Sequence, residues 1–143
     1  MGAQSQRSEQ QGELRLEIRV PPNARAVKDV RRALRELRLP TPLLEDARLL
    51  VSELVTNSIR HARLDRDDRI RVLAEWSGTT LRVEVIDRDD VTGPFPVTGL
   101  TRPAPGAESG WGLYLVEHLA ARWGRGSGGY WFELEQRTNP RRP

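Results

Sequence analysis

Two apolar-alternating stretches stand next to each other in this chain with no helix between them. Arg69 to Trp76 and Thr80 to Asp87 each place apolar residues at every second position, and Ser77-Gly78 separates them. Period-two alternation marks strands with one buried face, and a short Ser-Gly break between two of them marks a hairpin. A doubly wound parallel sheet needs a helix between successive strands, so this pair argues against one. The remaining segments fall into the order strand, helix, helix, hairpin, loop, helix, strand. That order predicts an α+β fold: a two-layer sandwich with a mixed, mostly antiparallel sheet and helices packed on one face.

The other elements follow from local signals. Leu14, Leu16, Ile18 and Val20 alternate with polar residues and predict a strand, which Pro21-Pro22-Asn23 ends. Asn23 is a candidate cap for the next helix. There Val27, Val30, Leu34 and Leu37 recur at helical spacing, and Arg31, Arg32 and Arg35 read as a solvated flank, with a surface for an acidic protein partner as the alternative. Pro40-Thr41-Pro42 breaks that helix and starts a long one running to about Ala62, with Thr41 as its cap. Residues 88–109 hold many prolines and glycines and read as a long loop of the kind that often forms a lid. A helix from Trp111 to about Trp123, a Gly124 to Gly129 turn and a strand from Tyr130 to Gln136 complete the domain. The expected domain is residues 13–137. Residues 1–12, rich in Gln and Ser, and residues 138–143 read as disordered tails.

Composition narrows the function classes. At 143 residues the chain is one domain, and 37% hydrophobic with 30% charged residues suits a soluble globular protein. No apolar run reaches bilayer-spanning length, and residues 1–12 lack a signal-peptide core. There is no cysteine, hence no disulfide and no thiolate metal site. These features together lead us to expect a cytoplasmic protein with no membrane association. The formal net charge is +3, and Lys28 is the only lysine, so 22 of the 23 basic residues are arginine. The charge is spread along the chain, which gives no specific support for direct nucleic-acid binding. A Walker-type lysine motif is absent.

Three stretches carry candidate chemistry. In Glu53-Leu54-Val55-Thr56-Asn57, helical geometry puts Asn57 about 60° and Glu53 about 100° from Leu54, on the same side. Both flank the buried stripe, at a helix edge suited to lining a pocket. A carboxamide oxygen offers a hard cation such as Mg²⁺ a neutral ligand, and a carboxylate one turn earlier can accept a proton. His61 extends that edge by another turn. Asp87, leaving the apolar strand Val83-Glu84-Val85-Ile86, can accept a hydrogen bond from the exocyclic amine of adenine. Gly110-Trp111-Gly112-Leu113 opens a helix, where glycine lets backbone approach phosphate and free amides favour anions. Each motif alone also has a plain reading: a polar-flanked amphipathic helix, a turn aspartate, a glycine turn. Their order and spacing make them a candidate purine-nucleotide pocket.

Those residues resemble a known family. Glu53-Leu54-Val55-Thr56-Asn57-Ser58-Ile59-Arg60-His61-Ala62 is similar to the N-box of the anti-sigma-factor serine/threonine kinases, within the histidine-kinase-like ATPase superfamily (the Bergerat fold). Asp87 sits where the adenine-reading acid belongs, and Gly110 to Val116 is similar to the second glycine box. Trp131-Phe132-Glu133-Leu134 resembles the last strand. The match covers roughly residues 14–136. The resemblance implies ATP and Mg²⁺ as cofactors, Asn57 as metal ligand and Glu53 as general base. It implies Asp87 at the adenine amine and Gly110, Trp111, Gly112 and Leu113 as the second glycine box at the phosphates. His61 joins the candidate site from its place on the same helix edge, and Arg102 joins it from its charge and its place in the loop, within reach of the terminal phosphate. It also implies phosphorylation of an anti-anti-sigma (STAS-type) partner, capture of a sigma factor and a possible homodimer. A nucleotide-binding interaction module that transfers nothing is the alternative. The chain departs from the pattern after Asp87, where Arg88-Asp89-Asp90 follows, and before the last strand, where Gly128-Gly129-Tyr130 stands in place of a threonine.

Overall fold

The computed structural model describes residues 2–10, 12–61, 64–87, 111–126 and 128–136. In chain order the elements are β1 (Gln4–Gln10), β2 (Glu13–Val20), α1 (Arg25–Ala33) with a 3₁₀ turn at Leu34–Leu37, and α2 (Thr41–His61). There follow β3 (Ile70–Trp76), β4 (Thr80–Ile86), α3 (Trp111–Leu119), β5 (Arg122–Arg125) and β6 (Gly129–Glu135). The strands form one six-stranded sheet in the order β1-β2-β3-β4-β6-β5. Each described pairing is antiparallel. The α+β architecture is therefore the one expected. Among the described residues, no helix is long and apolar enough to cross a membrane.

Alternation in the sheet decides its two faces. Leu16, Ile18 and Val20 of β2 and Leu81, Val83 and Val85 of β4 are buried, as are Phe132 and Leu134 of β6. They join Val30 of α1 and Leu50, Val51 and Leu54 of α2 in a single core. Asn23 acts as expected: its side-chain oxygen accepts the Arg25 amide at 3.1 Å and its carbonyl accepts Ala26 at 3.0 Å. Gly78 turns the β3–β4 hairpin at φ +92°, a conformation that favours glycine.

The opposite face is an ion-pair ladder. Glu17 meets Arg19 and Arg71, Arg15 meets Glu75, and Glu133 lies between Arg82 and Arg122. Arg82 also lies 4.2 Å over the Trp131 ring.

Two boundaries differ from the sequence reading. Gln4–Gln10, expected as tail, forms the edge strand β1 against β2. It carries no apolar residue, so composition gives no sign of it. Its order comes from the backbone ladder and from Arg7 and Ser5 bonding to Glu36. The helix expected to reach Trp123 stops at Leu119. The Ala121 amide bonds to the Glu133 carbonyl, and Trp123 pairs with Phe132 in β5. Sheet pairing and the Arg122 bridges to Glu133 and Glu135 override helical continuation.

Gly129 is where β6 begins beside the end of β4. It pairs with Ile86, and a Cβ there would run into the Val85 carbonyl. We predict that Gly129→Ala destabilises the domain by about 1–3 kcal/mol through overpacking. Urea unfolding would check this; a wild-type midpoint would contradict the close approach. A second expectation concerns acid. Hydrogen bonds from Arg122 first, and from Arg82, hold the Glu133 carboxyl below its ordinary value of 4.5. A depressed carboxyl stabilises the fold above that ordinary value, and the contribution is lost as pH falls through the folded value. Glu133→Gln should thus be less stable than wild type at neutral pH, the gap closing as pH drops below 4.5. Thermal melts across pH would show it, and a gap constant with pH would refute it.

Candidate functional site

The α2 helix is the element that gathers the site. It packs against α1 and α3 and touches both β4 and β6. The carriers of the three motifs are therefore neighbours. Glu53 and Asn57 lie on α2, Asp87 follows directly on the end of β4, and Trp111 opens α3.

Glu53 and Asn57 are half-buried beside buried Leu54, Val55 and Ser58. Among the described residues, no hydrogen bond or ion pair engages either side chain, although both are partly withdrawn from water. A carboxylate and a carboxamide one turn apart, half-sheltered and unengaged, are what a ligand-binding helix edge requires.

Asp87 is also half-buried, and its backbone is pinned: its amide donates to the Gly128 carbonyl at 3.1 Å. Gly128 is buried, and the neighbouring Ile86 pairs with Gly129. The glycines that replace the expected threonine thus bring the two backbones together at the end of β4.

Trp111, Gly112 and Leu113 form the first turn of α3. Further along, Val116 is buried, and Glu117 accepts a hydrogen bond from the Trp123 indole, tying α3 to β5. His118 is exposed; its Nδ1 lies 2.8 Å from the Tyr114 carbonyl, and its ring stacks 4.1 Å from the Tyr114 ring. His61 ends α2. Gly110 and Arg102 lie outside the described residues, as does the expected lid at 88–109.

One feature of this region has no counterpart in the sequence reading. Arg125 lies 4.8 Å over the Tyr130 ring, and the Trp123 and Tyr130 rings are 6.4 Å apart. Tyr130 pairs with Val85, two residues before Asp87 on the same strand. Alternation along Tyr130, Phe132 and Leu134 points to the strand, but reading Trp123 as the helix end and Arg125 as part of a turn hides their place in β5.

Among the described residues, no group of three His, Asp or Glu side chains stands ready to hold a metal. A Mg²⁺ ion carried in on phosphates needs less, because it keeps several waters and takes one or two protein oxygens. The unengaged carboxamide of Asn57 fits that requirement.

Residues 20–130 match the family model described as histidine kinase-like ATPase domain. That match spans most of the chain and agrees with the antiparallel sheet backed by helices. The chain belongs to the histidine kinase-like ATPase family, whose domains are nucleotide-binding. Comparison with curated proteins finds no match.

Because neither Glu53 nor Asn57 has a protein partner to lose, Glu53→Ala and Asn57→Ala should each change stability by no more than about 0.5 kcal/mol. Chemical denaturation measures this directly. A loss of several kcal/mol would instead make these side chains part of the scaffold.

Proposed function

We propose that the chain is an ATP-dependent protein serine/threonine kinase of the anti-sigma type. It would phosphorylate an anti-anti-sigma (STAS-type) partner and, when that partner is absent, hold a sigma factor, working in the cytoplasm and as a homodimer. The observation that carries the reading is the unengaged Glu53–Asn57 edge on α2, packed beside β4 and α3 in a domain of this family.

In this reading Asp87 accepts the exocyclic amine of adenine. Guanine, with a carbonyl there, would leave two acceptors facing each other. Gly110 is assigned to the phosphates in the same reading, and Trp111, Gly112 and Leu113, in the first turn of α3, offer backbone amides to them. The same reading assigns Arg102 and His61 to the phosphate end of the nucleotide. Asn57 supplies one oxygen to Mg²⁺, which when bound neutralises phosphate charge. Glu53 takes the proton of the acceptor hydroxyl as its oxygen forms a bond to the γ-phosphorus and the bond to the ADP oxygen breaks. Positioning and electrostatics supply the rate, as in other phosphoryl transfers.

The second reading is an interaction module that binds nucleotide and transfers nothing. Gly129 favours it, since its close contact with the Val85 carbonyl leaves no space for a hydroxyl-bearing side chain at that position.

Titration calorimetry with Mg-ATP, Mg-ADP and Mg-GTP tests the pocket. Wild type should prefer adenine nucleotides. Asp87→Ala should erase that preference, and Asn57→Ala or added EDTA should weaken ATP binding. Absence of any nucleotide binding by wild type would end the proposal. Transfer is tested with labelled ATP and a STAS-type domain carrying an acceptor serine. Glu53→Ala should lose transfer by a factor of about 10²–10⁴ while still binding nucleotide. A stable complex without label on the partner would favour the module.

A further inference from the structure

On the other side of α2 from Asn57, α1 and α2 flank an open cavity of about 520 Å³; Lys28, Arg31, Arg32 and Arg35 on its rim are exposed and Arg48 is half-buried. Five cationic side chains line it: Lys28, Arg31, Arg32, Arg35 and Arg48. The first four follow the i, i+3, i+4, i+7 spacing of one helical face, so their charges fall along roughly 11 Å. Arg48 approaches from α2. Ala24 and Val27 add apolar surface.

Among the described residues, no hydrogen bond or ion pair engages any of these five side chains, and the Nε of Arg48 is buried without an acceptor. The sheet face is the reverse case, since Arg15, Arg19, Arg71, Arg82 and Arg122 each meet a glutamate. Glu36, next to Arg35, turns instead toward Ser5 of β1. Gathering like charges around one concavity opposes folding and is only partly screened by salt. A buried guanidinium nitrogen without an acceptor adds to that cost. Among the described residues no carboxylate pairs with any of the five, so an anion held there would meet unsatisfied donors.

We propose that this cavity binds a small anion carrying two or more phosphate groups, at a site separate from the nucleotide pocket. Its volume falls within the range of small-molecule sites, about 300–1,000 Å³. Guanidinium forks match phosphate oxygens in pairs, and a row of them matches a short phosphate chain. The site is distinct because Asn57 lies about 180° around α2 from Arg48 and roughly 13 Å further along it.

Sodium tripolyphosphate is the probe, titrated calorimetrically in low salt with EDTA present. Wild type should bind it, and Arg31→Gln/Arg35→Gln should bind at least about tenfold more weakly. Asn57→Ala should bind as wild type does. A second readout needs no variant. Lys28 is the only lysine, so an amine-acetylating reagent reports on the cavity through a single side chain. Tripolyphosphate should protect Lys28 and leave the amino terminus reactive. The proposal is overturned by absent binding, by equal binding in the arginine variant, or by loss of binding in Asn57→Ala. It is also overturned if a poly-glutamate peptide protects Lys28 while tripolyphosphate does not, which would make the cavity a docking surface for an acidic protein.

Discussion

The pairing of β4 with β6 is the constraint on which the candidate site depends. These strands are far apart in sequence, and the chain between them contains the long 88–109 segment and α3. Their register, from Thr80 opposite Glu135 to Ile86 opposite Gly129, fixes where β4 ends and hence where Asp87 stands. Gly129 lets the two backbones approach at that end, and the Asp87 amide closes the ladder on Gly128. An acid that is to read one edge of a purine must be held by its backbone, because its side chain has few rotors but a free strand end has many conformations. Here the sheet does the holding.

The α2 helix serves two purposes on one surface. Its apolar stripe, with Leu50, Val51 and Leu54, anchors it over the sheet. That anchoring fixes the orientation of Glu53 and Asn57 at the edge of the stripe without any hydrogen bond to either. Position is thus provided by packing, and hydrogen-bonding capacity is left for a ligand. This division separates stability from function, because the groups that would do the chemistry are not the groups that hold the fold.

How much of this was legible in the sequence depends on what kind of interaction made each element. Period-two alternation in 70–76 and 80–86 is written by burial on one face, so both strands and their hairpin could be read directly. The long helix could be read as well, because its caps and apolar spacing are local. The strand β1 could not, because Gln4–Gln10 is held by backbone pairing to β2 and a few bonds to Glu36, none of which leaves a compositional trace. Trp123 was assigned to the helix for a similar reason: only its partner, Phe132, shows that it belongs to the sheet. The N-box, Asp87 and the opening of α3 were legible as motifs, and the fold makes neighbours of the elements that carry them. The motifs could not show that Glu53 and Asn57 lack protein partners, which depends on every neighbour at once.

The distribution of charge completes the argument. Arginine is spread through the sequence with little pattern, and in the fold it separates into two populations. On the open sheet face each bridging arginine faces a cross-strand or near-strand glutamate, and alternation puts both on one side at matching register. Along α1 and the turn after it the basic residues share one helical face, and among the described residues none of them pairs with a carboxylate. A Coulombic cost tolerated at one location while avoided on the opposite face indicates that the location, rather than the composition, requires the charge. The Arg31, Arg32 and Arg35 flank, which reads as solvated in the sequence, therefore becomes one wall of a cavity once α2 contributes Arg48 to the other.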